Sequence, residues 1–231
     1  MIINKAGILK TTLIDYPGKI ASTLFLPGCN LRCPFCHNRE LVLGEDDNLL
    51  PIDEILKIIN KRKNIIQGLC ISGGEPLIHN GLPDLISEIR KTGVKIKIDT
   101  NGLLPEKLAD ISPDYVSMDI KTSPLKYNLL LEGIDTGKTE KLLRESVKLI
   151  IESGADHEFR TTLVPGIVDI DDIEIIAEIA NGCRRFTLNK YRPQNTLDPS
   201  YEEIIPFTED QYTAFSEAFK KTGIKAVFRG L

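Results

Sequence analysis

The sequence predicts an α/β fold with parallel strands, a partial (β/α)6 barrel of the TIM type. Three observations carry this. Short β-rich runs alternate with helical patterns about six times, which implies parallel pairing with right-handed crossovers. The chain has 231 residues, and once residues 1–19 are set aside it falls short of the roughly 250 that eight units take. No Gly/Pro/Ser-rich linker interrupts it, so residues 1–231 are expected to form one domain, an extension over 1–19 and a barrel core from about 20 to 231. A doubly wound open sheet is the alternative, because periodicity does not separate the two. In either, functional groups belong at the C-terminal ends of the strands.

The elements follow in order. Ile20–Leu26 is apolar and β-branched, a first strand. Pro51–Arg62 sets Ile55, Ile58, Ile59 and Arg62 at helical spacing. Gly68–Ile71 is a short apolar strand, Pro83–Arg90 a helix stopped by Gly93, and Val94–Ile98 an alternating strand. Tyr115–Ile120 reads as a strand and Thr139–Ser153 as a helix with Gly154 at its C-cap position. Phe159–Val164 is a strand ended by Pro165 and Gly166. Asp169, Asp171 and Asp172 open a helix over Ile175–Ala180. Arg185–Leu188, Thr208–Lys221 and Ile224–Phe228 read as strand, helix and last strand.

Composition narrows the function. Hydrophobic residues make up 42% and charged residues 27%, as in soluble globular proteins. The net charge of -4 gives no basic footprint for nucleic acid. No apolar run is long enough for a membrane helix, and the N-terminus does not read as a signal peptide, so a cytoplasmic location is expected.

There are five cysteines, Cys29, Cys33, Cys36, Cys70 and Cys183. An odd number in a reducing compartment argues against a disulfide framework. Cys29, Cys33 and Cys36 form C-x3-C-x2-C directly after the first strand, in the first functional loop. Three thiolates can hold three irons of a [4Fe-4S] cluster and leave the fourth open to a ligand. A zinc site is the alternative, but it needs a fourth Cys or His, and His37 adjoins Cys36 too closely. Cys70 and Cys183 read as buried thiols, and His79 and His157 as structural or surface groups.

The spacing, with the aromatic Phe35 before Cys36, resembles the radical S-adenosylmethionine (SAM) superfamily. The resemblance implies that the open iron binds SAM and that one electron cleaves it to methionine and a 5′-deoxyadenosyl radical. Ser72-Gly73-Gly74-Glu75-Pro76 looks like the family's GGEP motif, which contacts the methionine amino group; alone it reads as a strand-to-loop turn. Asp99-Thr100-Asn101-Gly102 and Asp119-Ile120-Lys121 resemble segments of glycyl-radical-enzyme activating enzymes. There the acidic residues lie near the methionyl part or a monovalent cation, and the lysine faces the cofactor carboxylate. The resemblance carries these roles to Asp99, Thr100, Asp119 and Lys121, and backbone contacts to adenine to His37. Capping aspartates and a solvated lysine are the plainer reading.

Arg160 opens an R-x4-P-G pattern on the fifth strand. A buried guanidinium needs a partner, either a cofactor carboxylate or ribose or an internal Asp or Glu. Upstream, Asp15-Tyr16-Pro17-Gly18-Lys19, with Cys36-His37-Asn38-Arg39-Glu40, resembles the activating proteins of anaerobic ribonucleoside-triphosphate reductases. Tyr16 and Lys19 depart from the Gly and Arg common in activating enzymes. The implied function is to install a glycyl radical on a partner such as anaerobic ribonucleotide reductase, with a low-potential flavodoxin or ferredoxin as electron donor. The alternatives are radical chemistry on a small molecule, in cofactor or modified-base biosynthesis, and a non-enzymatic iron–sulfur or zinc module.

Overall fold

The computed structural model describes residues 3–229. The first part of the chain forms β1 (Lys5–Thr12), β2 (Ala21–Leu26), α1 (Arg39–Leu43), β3 (Leu50–Pro51) and α2 (Ile52–Arg62). The middle forms β4 (Gly68–Gly73), α3 (Leu82–Arg90), β5 (Lys95–Thr100), α4 (Pro105–Ala109) and β6 (Tyr115–Asp119). The last part forms α5 (Thr136–Glu152), β7 (Asp156–Leu163), α6 (Ile173–Ile179), β8 (Phe186–Lys190), α7 (Glu209–Lys221) and β9 (Ala226–Arg229). Among the described residues the strand order is β3-β1-β2-β4-β5-β6-β7-β8-β9. The sheet is open, as in a partial TIM-type barrel. No helix among these residues is long and apolar enough to cross a membrane.

The expected extension differs in one respect. Residues 5–12 form a strand, β1, antiparallel to both β2 and β3. The run Lys5–Thr12 lacks the apolar density of the core strands, since most of it lies exposed or half-buried, one strand in from the sheet's edge. The pairings of β2 with β4, β4 with β5, β7 with β8 and β8 with β9 are parallel, as expected.

The chain divides into two compact units, residues 3–30, 40–100 and 106–116, and residues 31–39, 101–105 and 117–229. In the first, β2, β4 and β5 pair in parallel, so that Leu24, Ile71 and Ile98 form one row across the sheet. These three are fully buried, as are Ile55 and Ile59 of α2 and Ile89 of α3. The opposite face carries Thr23, Cys70 and Lys97 in one row. In the second unit β7, β8 and β9 are parallel. Phe159 and Phe186 are register partners, and Phe186 packs on Phe219 of α7 at a ring-centroid distance of 4.6 Å.

Local signals end the helices where the sequence places them. Asp135 caps α5 by accepting from the Lys138 N–H at 2.9 Å, three residues earlier than the periodicity suggested. Gly154 follows the helix at φ +73, a left-handed conformation that glycine adopts at low cost. Thr208 and Gln211 form a capping box at the start of α7.

Replacing Phe219 by Ala should cost about 3–5 kcal/mol, because a fully buried ring leaves a cavity against Phe186. Urea unfolding under reducing conditions measures it, and a loss below about 1 kcal/mol would show that α7 does not anchor β8.

Candidate functional site

In the first unit the loop after β2 and the loop after β4 touch backbone to backbone. The Gly74 N–H donates to the Leu26 carbonyl and the Glu75 N–H to the Gly28 carbonyl, each at 2.9 Å. A Cβ on Gly74 would overlap the Gly28 carbonyl and lie 3.3 Å from the Cys29 Cβ; one on Gly73 would overlap the Leu26 backbone. The two glycines therefore let one strand-end loop lie on the other, and the Cys29 Cβ lies close to Gly74. The His79 ring braces the same corner, with Nε2 2.8 Å from the Pro27 carbonyl oxygen. Burial lowers the His79 pKa, with the Pro27 hydrogen bond opposing it, which keeps the ring a neutral structural donor.

Glu75 is buried at 1% exposure. Its Oε1 accepts from the Leu77 N–H at 3.1 Å and the Thr100 hydroxyl at 2.9 Å. Thus Glu75 and Thr100, taken from two sequence motifs, meet in the structure. Asp99 meets a residue that the sequence motifs do not include. Its carboxylate is bound by the Lys97 ammonium, which also lies 3.5 Å from Cys70 Sγ and 6.0 Å from the Tyr115 ring centroid. Lys97 is 1% exposed, whereas Lys95, two places earlier on the same strand, is exposed. The signal was the spacing, since residues two apart in a strand share a face.

In the second unit Cys33 and Phe35 are buried and Cys36 is half-buried. The Cys36 N–H donates to the Cys33 carbonyl at 3.0 Å, a turn that holds the two thiols on one short arc. The loop after β8 clamps this segment. His37 Nε2 lies 2.8 Å from the Arg192 carbonyl oxygen, its ring stacks on Tyr191, and the Asp198 N–H donates to the Pro34 carbonyl. His37 thus has a structural ring role.

Asp119, Lys121 and Arg160 form one cluster. The Arg160 guanidinium donates to both Asp119 oxygens, at 3.1 and 2.9 Å. Lys121 Nζ lies 3.3 Å from Asp119 Oδ2, and the Lys121 N–H donates to the buried Tyr127 hydroxyl at 3.1 Å. Of the two partners expected for Arg160, the structure shows the internal aspartate. Burial pushes the Asp119 carboxyl up, but Arg160 and Lys121 outweigh it and hold the group at about 2. Burial opposes charge on Lys121, yet Asp119 and then Cys33 keep its ammonium above the ordinary lysine value.

A second buried carboxylate, Glu158, also lies outside the sequence motifs. It is fully buried, and accepts from Ser117 at 2.9 Å, Thr187 at 3.1 Å and both terminal nitrogens of Arg229 at 3.3 and 2.9 Å. Its signal was again spacing, two residues before Arg160 on β7. Asp119 and Glu158 face Lys121, Arg160 and Arg229, three cations against two anions. That excess suits an anionic ligand group.

The other candidates are structural. Cys183 is half-buried, its thiol pushed up by burial. His157 Nδ1 lies 3.1 Å from the Ala155 carbonyl oxygen, and Nε2 accepts from the Arg184 N–H at 3.5 Å.

Comparisons with known proteins place the chain. A family model described as "Radical SAM superfamily" matches residues 23–180. A Methanocaldococcus jannaschii protein named "Putative glycyl-radical enzyme activating enzyme" is 30% identical over 225 residues, 94% of this chain and 91% of its own length. A GTP 3′,8-cyclase of Clostridium perfringens is 29% identical over 190 residues, 78% of this chain and 54% of its own, so the chain spans about half of that relative. Among solved structures, Streptococcus suis SuiB bound to S-adenosylmethionine shares the fold. It covers 90% of this chain and 52% of its own, at 20% identity and a TM-score of 0.64.

Asp119 gives a pH prediction. A depressed folded-state pKa contributes stability that is present above the unfolded value, near 4, and lost as pH falls toward about 2. The stability gap between the wild type and Asp119→Asn should be constant above about pH 5 and narrow by about 1 kcal/mol on going to pH 3. Anaerobic urea titrations of the apoprotein measure it; a gap that does not change over that range contradicts the depressed value.

Proposed function

Because this chain belongs to the radical SAM superfamily, we propose that it is a glycyl-radical-enzyme activase, with anaerobic ribonucleotide reductase as its partner enzyme. The observation that carries this reading is the match to the Methanocaldococcus protein, which runs over nearly the whole of both chains. We further assign one catalytic domain to residues 1–231, a cytoplasmic location and a low-potential flavodoxin or ferredoxin as electron donor.

The donor set fits a [4Fe-4S] cluster and SAM. Cys29, Cys33 and Cys36 lie on one short segment and form no disulfide among the described residues, and thiolates are the ligands such clusters take. When bound, the two together supply reductive cleavage of SAM and a 5′-deoxyadenosyl radical able to abstract a glycine α-hydrogen. The chain's own residues hold and orient. Gly73 and Gly74 bring the Glu75 backbone onto the Gly28 carbonyl, next to Cys29 in the chain, and Glu75, oriented by Thr100, accepts from the methionyl ammonium. Asp99 contributes to the same methionyl site. Lys121 and Arg160 supply the cationic excess for the methionyl carboxylate, with Asp119 fixing both. Phe35 and the His37 backbone flank the adenine side. An Arg160 already bonded by Asp119 spends no binding energy on ordering its side chain.

A second reading, radical chemistry on a nucleotide or similar small molecule, is favoured by the similarity to the GTP 3′,8-cyclase.

The test mixes the reconstituted, reduced protein and SAM with a purified anaerobic ribonucleotide reductase. The expected result is a glycyl-radical doublet on the reductase in the electron paramagnetic resonance spectrum, absent with Cys33→Ala. No doublet, with GTP instead converted to a new product, would turn the assignment to the second reading.

A further inference from the structure

The resemblance offers two carboxylates, Asp99 and Asp119, to a monovalent cation beside the cofactor. The structure shows both already committed to cations of the chain itself. In the first unit the Lys97 ammonium is bound to Asp99. It is buried at 1% exposure, and its surroundings are Cys70 Sγ at 3.5 Å and the Tyr115 face at 6.0 Å. An ammonium so enclosed has exchanged its water for these partners, and the ion pair with Asp99 offsets the cost of burying it. In the second unit both Asp119 oxygens accept from the Arg160 fork, and Lys121 Nζ adds a second positive charge 3.3 Å from Oδ2. A metal cation at Asp119 would displace a bidentate charge-assisted pair and face two like charges.

We infer that this enzyme works without a monovalent metal ion, the buried Lys97 ammonium on Asp99 standing where such an ion would supply charge. The donor chemistry gives the reason. Potassium or sodium needs several oxygen ligands with open lone pairs. An ammonium is a compact point charge of the same sign with three donors, tethered by its own stem. Its entropy of localisation is met once, on folding. Lys97 thus becomes a positioning residue for Asp99. The inference rests on the placement of Asp99 in the cofactor site proposed above.

The experiment compares three buffers whose monovalent cation is potassium, sodium or tetramethylammonium. Affinity for SAM is read by equilibrium dialysis on the cluster-loaded protein, and ion binding by the sodium-23 line width. The wild type should bind SAM within twofold in all three and show no saturable sodium broadening. Lys97→Met keeps the length of the stem and removes the charge. It should lose at least tenfold in affinity in tetramethylammonium, regain most of it in potassium or sodium, and acquire saturable sodium broadening.

The inference is overturned by a tenfold loss of wild-type affinity in tetramethylammonium, by saturable sodium binding to the wild type, or by a Lys97→Met defect that neither ion restores. The wild-type arms need no variant and decide alone if Lys97→Met does not fold. Failure of the underlying reading looks different, namely no SAM binding in any buffer.

Discussion

Charge buried on the strands has to be neutralised where it lies, and this constraint shapes one face of β5 in the first unit and of β7 in the second. The interior of a parallel barrel is ordinarily filled by branched apolar side chains. Here one face of β5 carries Lys97 and Asp99, and one face of β7 carries Glu158 and Arg160. Each charge has a partner of opposite sign, from Lys97 on Asp99 to the Arg160 fork on Asp119 and the Arg229 pair on Glu158. Breaking one such pair leaves a buried charge alone, which is strongly destabilising. The apolar faces, led by Leu24, Ile71 and Ile98 and by Phe159 and Phe186, hold the helices. On β5 and β7, apolar packing thereby lies on one side of the strand and buried charge on the other.

The strand ends extend the same economy into the loops. Gly73 and Gly74 are forced by the backbone of residues 26–28, not by a ligand's approach alone, so the loop carrying Glu75 and the loop carrying Cys29 have a single way to fit. The cysteine segment that follows is held by Tyr191, Arg192 and Asp198 through hydrogen bonds and stacking. Rigid supports of this kind place thiols and carboxylates before any ligand arrives, which lowers the entropy cost of binding.

The sequence made much of this legible. Alternation of strand and helix showed the fold class, because period 2 and period 3.6 are visible in apolar residues. The cysteine spacing and the G-G-E-P, D-T-N-G and R-x4-P-G segments picked out residues that the structure places in well-bonded positions. The strand β1 stayed hidden, since most of its residues are exposed or half-buried and carry little apolar content, and its partner β2 lies across a turn. Lys97 and Glu158 stayed hidden for a different reason. A charged residue in an alternating strand reads as solvent-facing until its neighbour two places on is counted as a partner of opposite sign on the same face. The partner of Arg160 lay on another strand, a tertiary fact that local spacing does not encode.

Whether these residues hold SAM against a cysteine-bound cluster is decided by one spectrum. The protein is reconstituted anaerobically with iron and sulfide, reduced, and its electron paramagnetic resonance recorded with and without SAM. The expected outcome is a [4Fe-4S]+ signal whose shape changes on adding SAM, with 5′-deoxyadenosine formed. An unchanged signal and no 5′-deoxyadenosine, from folded and fully iron-loaded protein, would refute such a role for these residues.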